Sequence, residues 1–417
     1  MVLYVQKYGG TSVGSVERIQ SIAQRIAKSL AEGHQVVAVV SAMSGETNRL
    51  TAIGAEISKH SNTRENAREM DVLLATGEQV TTALLSMALS DQGIKARSFL
   101  GSQVKISTDS SHQRARIEHI EAENLLREIA QGVVPVVAGF QGVNSAGDIT
   151  TLGRGGSDTT AVALAVALKA DECQIFTDVH GVYTADPRLV ENARLLDSIT
   201  FEEMLELASL GTKVLSQRSV EFAGKYATPI RVLSSFSDEF PGTLITTEEA
   251  NMEKPIVSGI AYSRDEAKLT LHGVPDIPGV AAKILAPVGA ENIEVDMIVQ
   301  NVGADGTTDF TFTVKREAYE HALEVLERIK LQLGAREVQG DSKIVKVSVV
   351  GVGMRSHAGV ASIMFNALAE ESINIQMIST SEIKISIVIA EKYMELAVRA
   401  VHDAFGLADN AVVEETL

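Results

Sequence analysis

Short apolar runs alternate with helix-like patterns along the first 245 residues of the chain. Five runs are typical of β-strands: residues 2–8, 35–41, 133–140, 172–179 and 229–233. The runs at 36–40 and 133–137 are apolar at every position, which is the pattern of strands covered on both faces. Because helical patterns separate the strands, we predict an α/β fold whose mainly parallel sheet is sandwiched by helices.

Two segments indicate where helices begin and end. Apolar residues recur at helical spacing over 19–30, and Gly33 follows them as a stop signal. Thr200 and Glu203 have the spacing of a capping box, which predicts a helix that continues to Gly211.

The character of the chain changes after residue 240, where a turn leads into a polar stretch. We therefore predict a first domain over 1–245 and a connector over 246–266. The remainder contains an internal repeat, because residues 279–298 align with 359–378 without gaps and seven of the twenty positions are identical. Each copy reads as strand, helix, strand, strand, helix and a final strand, which predicts βαββαβ modules over 267–340 and 341–417.

Composition narrows the function. The net charge is −17, whereas a protein that binds nucleic acid or an anionic membrane usually carries an excess of basic residues. No apolar run approaches the roughly 18 residues of a membrane-spanning helix, and residues 1–7 do not resemble a signal peptide. The single cysteine, Cys173, cannot form a disulfide within the chain, which favours the cytoplasm.

Glycine and fixed charge occur together directly after the first predicted strand, in Lys7-Tyr8-Gly9-Gly10. Glycines let backbone amides approach an anion closely, and Lys7 adds a full positive charge. A plain turn would show the same two glycines, so this segment alone leaves both interpretations open.

A second segment, residues 153–158, reads Gly-Arg-Gly-Gly-Ser-Asp and precedes a helical run. Three glycines with Arg154 form a donor-rich loop at a helix N-terminus, which favours anion binding over a simple turn. The segment has neither the P-loop spacing nor the dinucleotide fingerprint.

A third segment, residues 177–188, begins at the end of a predicted strand and carries Asp178, Tyr183, Asp186 and Arg188. Ligands of open α/β sheets bind at the carboxyl ends of the strands, although a solvated polar loop would look similar. Taken together, the three segments predict a phosphate site with Lys7 and Arg154 as its cationic partners. The sequence shows no Ser–His–Asp or Cys–His arrangement and no metal-ligand spacing.

These motifs resemble the aspartokinase family of the amino-acid kinase superfamily, whose members carry two C-terminal ACT modules. The resemblance covers essentially the whole chain and rests on five motifs in order: residues 7–12, 41–43, 76–78, 153–158 and 181–188. It implies an amino-acid-kinase-type domain followed by two ferredoxin-like ACT modules, and a monofunctional enzyme. The implied reaction is ATP-dependent phosphorylation of the L-aspartate β-carboxylate, the first step of lysine, threonine and methionine biosynthesis.

The resemblance also implies roles for residues of the first domain. The implied catalytic residues are Lys7 and Asp158. The implied substrate residues are Ser41, Thr47, Glu78, Arg154, Gly155, Gly156 and Ser157. The implied ATP residues are Lys7, Tyr8, Gly9, Gly10, Thr177, Asp178, Tyr183, Asp186, Arg188 and Lys213. ATP is expected with Mg²⁺ as its co-substrate complex, without a prosthetic group.

Regulation by lysine, threonine or both is implied for the ACT modules. The implied effector positions of the first module are Asp276, Gly279, Glu294, Val295, Asp296 and Gln300; those of the second are Ala361, Ser362, Asn374, Ile375, Gln376 and Glu382. Glu294 stands where relatives usually have Asn. Pairing of ACT modules implies a homo-oligomer or an α2β2-type oligomer, and Met252 resembles the internal start that yields a small subunit in some relatives.

Two other readings stay open at this point. The acceptor could be glutamate, acetylglutamate or UMP, which the tandem ACT repeat and the Arg154–Asp158 loop disfavour. The chain could also be a non-catalytic amino-acid sensor whose first domain only binds nucleotide. A sensor would not need all four of Lys7, Glu78, Arg154 and Asp158, so their presence disfavours this alternative.

Overall fold

The computed structural model describes residues 1–58, 66–211, 214–247, 255–303 and 305–408. They form two compact units. The first comprises Met1–Val182, Leu195–Ser209 and Lys213–Ala250, and the second comprises Tyr183–Arg194, Leu210–Thr212 and Asn251–Leu417. The segment Tyr183–Arg194 thus groups with the second unit, although it lies inside the predicted first domain. Lys213 and Met252 fall outside the described residues.

The first unit alternates strands and helices. In chain order its elements are β1 (Leu3–Tyr8), α1 (Val16–Ala31), β2 (Gln35–Val40), α2 (Glu46–Ile57), α3 (Ala67–Asp91), β3 (Ala96–Phe99), α4 (Gly101–Val104), β4 (Ile106–Thr108), β5 (Ile117–Ile120), α5 (Glu123–Ala130), β6 (Val134–Ala138), β7 (Gln141–Val143), β8 (Ile149–Thr151), α6 (Gly156–Leu168), β9 (Glu172–Thr177), β10 (Ser198–Thr200), α7 (Phe201–Ser209), α8 (Gln217–Lys225), β11 (Ile230–Ser234) and β12 (Thr243–Thr246).

An eight-stranded sheet forms the centre of this unit, in the order β10-β12-β11-β9-β1-β2-β6-β3. All neighbouring pairs are parallel except β11 and β12. The predicted mainly parallel sheet is therefore confirmed, and its five predicted strands are β1, β2, β6, β9 and β11. Every residue of β6 is buried, as its continuous apolar run requires. Strand β1 lies between β2 and β9, so later strands are added to the sheet on both sides of it. Ligands of open α/β sheets bind at such a point, where the strand order reverses.

The predicted helix signals are also confirmed. Helix α1 buries its Ile19, Ile22 and Ile26 face, and Gly33 beyond its end has the left-handed φ of +87°. The capping box at α7 is reciprocal: Thr200 Oγ1 accepts from the Glu203 N–H at 3.2 Å, and Glu203 Oε2 accepts from the Thr200 N–H at 3.1 Å.

Helix α3 is, in the described part of the chain, the one helix that is long and apolar enough to cross a membrane, with a mean hydropathy of 1.4 over 18 residues. The sequence predicted no such run. Within this unit α3 packs against α1, β3 and β8, and it buries the carboxyl groups of Asp71 and Glu78. The apolar composition of α3 is thus explained by its burial in the core of the unit, and its buried face also carries two acidic groups.

A smaller sheet, in the order β5-β4-β7-β8, stands beside the main one. It brings residues 109–116, which join β4 to β5, next to β8, because the Ala115 N–H donates to the Thr151 carbonyl at 2.9 Å. No sequence motif marks this sheet, and its importance lies in the loop that it carries.

The second unit contains two four-stranded sheets. Its elements are β13 (Gly259–Ser263), β14 (Ala267–Pro275), α9 (Val280–Ala290), β15 (Val295–Val302), β16 (Thr307–Val314), α10 (Tyr319–Leu333), β17 (Glu337–Asp341), β18 (Ile344–Val350), α11 (Val360–Glu370), β19 (Met377–Thr380), β20 (Lys384–Ala390) and α12 (Met394–Ala404). The sheet orders are β15-β16-β14-β17 and β13-β18-β20-β19, and every pair is antiparallel.

The first repeat is a complete βαββαβ module, as predicted. In the second, the fourth place in the sheet is taken by β13, which pairs with β18 from Gly259 opposite Val350 to Ser263 opposite Lys346. This strand comes from the stretch predicted as a connector. The first module is therefore inserted in sequence between two neighbouring strands of the second, a pairing that no local pattern announces.

The segment Tyr183–Arg194 packs into the second module. Ala185 and Val190 belong to its apolar core. The Ile260 N–H donates to the Thr184 carbonyl at 2.7 Å, and Thr184 Oγ1 lies 3.0 Å from Nε2 of the buried His402. Long-range packing thus overrides the position of this segment in the sequence.

Candidate active site

The carboxyl ends of β1, β2 and β9 border a cavity of about 710 Å³ in the first unit. Thirteen of the predicted site residues line it: Lys7, Gly9, Gly10, Ser41, Thr47, Glu78, Arg154, Gly155, Gly156, Ser157, Asp158, Thr177 and Asp178. The structure therefore brings together both predicted catalytic residues, all predicted acceptor residues and part of the predicted nucleotide set.

Lys7 and Asp158 form an ion pair at the wall of this cavity, with 2.6 Å between Nζ and Oδ1. Their side chains are 11% and 13% exposed, so water screens the pair only weakly. Lys7 is near the end of β1, and Asp158 lies in the first turn of α6, where the helix dipole favours a negative charge. The Lys7 ammonium group thus lies at the cavity, and the Asp158 carboxylate holds it in place.

Close backbone approach explains the glycines after β1. A Cβ on Gly10 would lie 3.1 Å from the Ala42 carbonyl oxygen, so the ends of β1 and β2 could not approach as closely with a larger residue. The N–H groups of Ser12 and Val13 both donate to the Gly9 carbonyl, which closes the turn. The backbone thus lies tightly along the cavity floor.

The loop that carries Arg154 needs its glycines for two reasons. Gly153 and Gly155 have φ of +77° and +71°, a region that other residues rarely adopt. A Cβ on Gly155 would overlap with the Ser216 side chain, and one on Gly156 would lie 2.8 Å from the Phe140 ring. The loop is therefore packed from both sides, while Arg154 itself is exposed at the cavity wall.

Glu78 supplies a buried carboxylate on α3. Its Oε1 accepts from the Ala42 N–H at 3.0 Å, whereas Oε2 is buried and has no hydrogen-bond partner among the described residues. Burial raises the pKa of Glu78 to about 7, against the opposing effect of the Ala42 N–H. A Cβ on Gly77 would lie 2.7 Å from that of Ala42, so the helix can approach the β2 loop only because residue 77 is glycine. The unsatisfied oxygen is suited to a cationic ligand group.

The predicted nucleotide residues divide into groups. Thr177 and Asp178 line the cavity, and Thr177 Oγ1 donates to Asp178 Oδ1 at 3.1 Å. The side chain of Tyr8 is fully buried, stacks on Phe176 and donates from its hydroxyl to Gln6, so only its backbone is left to contact a ligand. Burial also raises the pKa of the Tyr8 hydroxyl.

Tyr183, Asp186 and Arg188 belong to the second unit. The Asp186 carboxylate accepts two bonds from the Arg188 guanidinium, at 2.9 and 2.7 Å, and one from the Tyr262 hydroxyl at 3.0 Å. These contacts hold the pKa of Asp186 below its usual range, with the Arg188 bonds as the main cause.

The predicted effector residues follow the internal repeat. Gly279 and Gly359 occupy the same place before α9 and α11, each with φ of +88°. Asp276, Glu294, Gln300, Ser362, Asn374 and Glu382 are exposed, and Val295, Ala361, Ile375 and Gln376 are half-buried.

Two lysines at matching places in the repeat reach across to the other module. Lys268 Nζ donates to Gln376 Oε1 at 2.6 Å, and Lys346 forms an ion pair with Asp296. Lys346 also lies 3.1 Å from the buried Glu266 carboxylate. Asp296, predicted to contact an effector, is thus already engaged with a lysine.

Comparisons with known proteins agree with this architecture. The amino acid kinase family profile matches residues 3–234, and ACT domain profiles match residues 269–330 and 347–405. Over 408 residues the chain is 65% identical to an aspartate kinase of Stutzerimonas stutzeri, and the match covers 98% of each chain. The chain belongs to the aspartate kinase family.

Solved structures of the aspartate kinase family extend the likeness to the fold. The structure of E. coli aspartokinase III in complex with aspartate and ADP (R-state) is 26% identical, covers 96% of this chain and 99% of its own, and gives a TM-score of 0.79. Its T-state complex with lysine and aspartate is 27% identical, covers 97% and 99%, and gives 0.76.

Sequence reasoning missed several residues at the aspartate kinase cavity. Phe140, Gln113 and Thr151 line it, yet none stands in a glycine-rich or charged motif. Phe140 and Gln113 both have positive φ, a feature of functional loops that only coordinates reveal. Tertiary packing alone brings them to the cavity.

Proposed function

We propose that this chain transfers the γ-phosphoryl group of Mg-ATP to the β-carboxylate of L-aspartate. The observation that carries the proposal is one cavity lined by Lys7, Arg154 and Glu78, whose Oε2 has no hydrogen-bond partner within the described ranges. An amino-acid acceptor with two carboxylates needs an acidic group for its ammonium and cations for its negative ends. Glu78 would take the ammonium, Arg154 the α-carboxylate, and Ser41, Thr47 and the 155–157 backbone would complete the acceptor side.

The chemistry requires little of the protein beyond positioning and charge. The attacking β-carboxylate is ionised at neutral pH, so no general base is needed. The barrier lies in bringing one anion against another, and it is lowered by cations and backbone amides that stabilise the charge on the transferring group. Lys7 and the Gly9–Gly10 backbone would do this, while Asp158 would hold Lys7 in position.

The nucleotide would occupy the side of the cavity near β9. Thr177 and Asp178 support this placement, and Tyr183, Asp186, Arg188 and Lys213 stay predictions. Magnesium would arrive with ATP, since it keeps most of its ligands from water and phosphate and needs only one or two protein carboxylates. Asp158 and Asp178 both line the cavity, and the described residues contain no cluster of three metal-binding groups.

We further propose feedback inhibition by lysine, threonine or both through the ACT modules, with the product feeding lysine, threonine and methionine synthesis. The lysine complex of E. coli aspartokinase III supports the first of these effectors. A homo-oligomer or an α2β2 oligomer through ACT pairing, a small subunit started at Met252 and a cytoplasmic location complete the proposal.

The decisive assay incubates the pure full-length chain with Mg-ATP, L-aspartate and hydroxylamine, which traps an acyl phosphate as its hydroxamate. Aspartyl hydroxamate is the expected product. ADP release only with glutamate, acetylglutamate or UMP would show that this compound, and not aspartate, is the acceptor. Lysine binding without any turnover would indicate a sensor instead.

A further inference from the structure

Asp71 is a buried carboxylate that the proposed reaction does not use. It lies on α3 two turns before Glu78, with no exposed surface. Thr151 Oγ1 donates to its Oδ1 at 2.6 Å, the Gln113 N–H donates to both oxygens at 3.0 and 3.2 Å, and His112 Nδ1 lies 2.7 Å from Oδ2. A carboxylate removed from water persists only with such partners, so Asp71 is the centre of a local network.

This network holds two loops at the cavity wall. Gln113 and Thr151 both line the cavity, and Gln113 has a φ of +66°, which is uncommon for a residue other than glycine. The Gln113 carbonyl oxygen would lie 2.9 Å from a Cβ on Gly153, the residue before Arg154. The conformation of Gln113 and that of the arginine loop are therefore packed against each other.

Arg218, on α8, ties the same two loops together. Its Nη1 donates to the Leu152 carbonyl at 2.8 Å and its Nη2 to the Ala115 carbonyl at 2.7 Å. Burial lowers the pKa of Arg218. Two charged side chains thus hold the loops. Asp71 accepts hydrogen bonds from an N–H and an O–H group of them, and Arg218 donates to two of their carbonyl oxygens.

We propose that Asp71 is a positioning residue for the acceptor end of the cavity, and that Gln113, which it holds, contacts the acceptor amino acid beside Arg154 and contributes to its selection. Asp71 engages the Gln113 backbone, and Gln113 lines the cavity, where its side-chain amide can donate to an acceptor carboxylate and accept from an ammonium. The inference deepens the proposed function and rests on it.

The test measures steady-state kinetics of full-length Asp71→Asn and Gln113→Met. Methionine keeps the length of glutamine but removes the amide, so this variant tests the contact without disturbing the fold. Each variant should raise the KM for aspartate roughly tenfold, with the KM for ATP and kcat changed by less than about threefold. Because Asp71 acts through Gln113, the double variant should raise the KM no further than the larger single effect.

Glu203→Gln is the matched control. Glu203 is also a buried carboxylate of the first unit, bonded to Thr200 at the start of α7, and it does not line the cavity. Its loss should lower the unfolding temperature and leave the KM for aspartate unchanged.

Two results would overturn the inference: an unchanged aspartate KM in Gln113→Met, or multiplicative effects in the double variant. Wild-type protein that does not phosphorylate aspartate would instead overturn the proposed function itself.

Discussion

At the scale of the residue, the proposed role of Glu78 makes ammonium binding depend on the charge state of its carboxyl group. Its carboxyl is buried, and its pKa is raised to about 7. As the pH falls through 7 the group takes up a proton and loses its attraction for a cation. The free amino acid titrates outside this range, so the enzyme should govern the pH dependence.

We therefore predict that kcat/KM for aspartate, at saturating Mg-ATP, falls up to about tenfold per pH unit below 7. Glu78→Gln should raise the aspartate KM and remove that pH dependence. A profile measured from pH 5.5 to 8.5 on both proteins checks this. The same slope in the variant would show that another group titrates.

The stability of the unliganded protein gives an independent check on Glu78. Its folded-state pKa lies above its ordinary value, so the folded state holds the proton more tightly than the unfolded chain. The stability that this provides is present at acidic pH and is lost as pH rises through 7. The unfolding temperature of Glu78→Gln, relative to wild type, should rise between pH 6 and pH 8.

The ion pair of Lys7 and Asp158 gives a second prediction at the scale of the residue. Removing either charge should lower kcat by at least about 100-fold, because the transferring phosphoryl group loses its cation or the cation loses its position. Lys105→Ala, which breaks the exposed ion pair with Glu121, is the control for loss of a lysine and should leave kcat unchanged. Wild-type turnover by Lys7→Ala would remove the assignment.

At the scale of the element, the turn before α6 depends on Gly155. Its left-handed φ and the nearby Ser216 side chain both exclude a Cβ. Gly147 has a similar φ of +85° but open space around it, so the pair separates backbone strain from crowding.

Gly147→Ala should cost about 1–2 kcal/mol from φ alone. Gly155→Ala should cost a further 1–3 kcal/mol, on the order of an overpacked core, and should raise the KM for aspartate. Denaturant unfolding and kinetics on both variants test this. Equal stability losses would mean that Ser216 moves aside freely.

The two ACT modules offer a second element-scale test, because Lys268 and Lys346 occupy matching places on β14 and β18. Lys346 neutralises Glu266, whose side chain is only 2% exposed, and the two carboxylates around it raise its pKa in spite of burial. Lys268 donates to a neutral amide, and burial lowers its pKa against the opposing charge of Asp341 on the neighbouring strand.

Lys346→Met would leave the buried Glu266 carboxylate with only the more distant ammonium of Lys315, 3.8 Å away, and should cost about 3 kcal/mol, the low end for a broken buried pair. Lys268→Met should cost about 1.5 kcal/mol, the low end for a single hydrogen bond to a charged group, because the site is only half-buried. Thermal unfolding of the full chain compares the two. A larger loss in Lys268→Met would contradict the charge argument.

At the scale of the whole molecule, regulation requires that effector and substrate sites influence each other. If lysine or threonine inhibits by lowering the affinity for aspartate or ATP, linkage demands that this substrate lower the affinity for the effector by the same factor, typically about 5–150-fold. Calorimetric titration of lysine and threonine, singly and together, with and without substrates, measures it. D-Lysine is the control ligand. Equal affinities in all conditions would exclude inhibition that acts by lowering substrate affinity.

The sequence by itself determined the local parts of this protein. Period and composition indicated the strands that form the parallel sheet, the capping box at Thr200 and the tandem repeat, because such features depend on neighbours in the chain. The glycine-rich motifs also predicted that Lys7 and Arg154 serve one phosphate site, since strand ends in a parallel sheet meet at one edge. The family resemblance added Glu78 and Asp158 to that site.

Only the tertiary structure decided how distant segments combine. Strand β13 completes the sheet of the second module, and Tyr183–Arg194 packs with that unit. Asp71 and Arg218 each bind the loop that carries Gln113 to the cavity. Each outcome rests on pairing or hydrogen bonding between residues far apart in the chain. Such contacts produce no periodic pattern in the local sequence, so each short segment could pair with several partners. Packing of the core determines which partner it has.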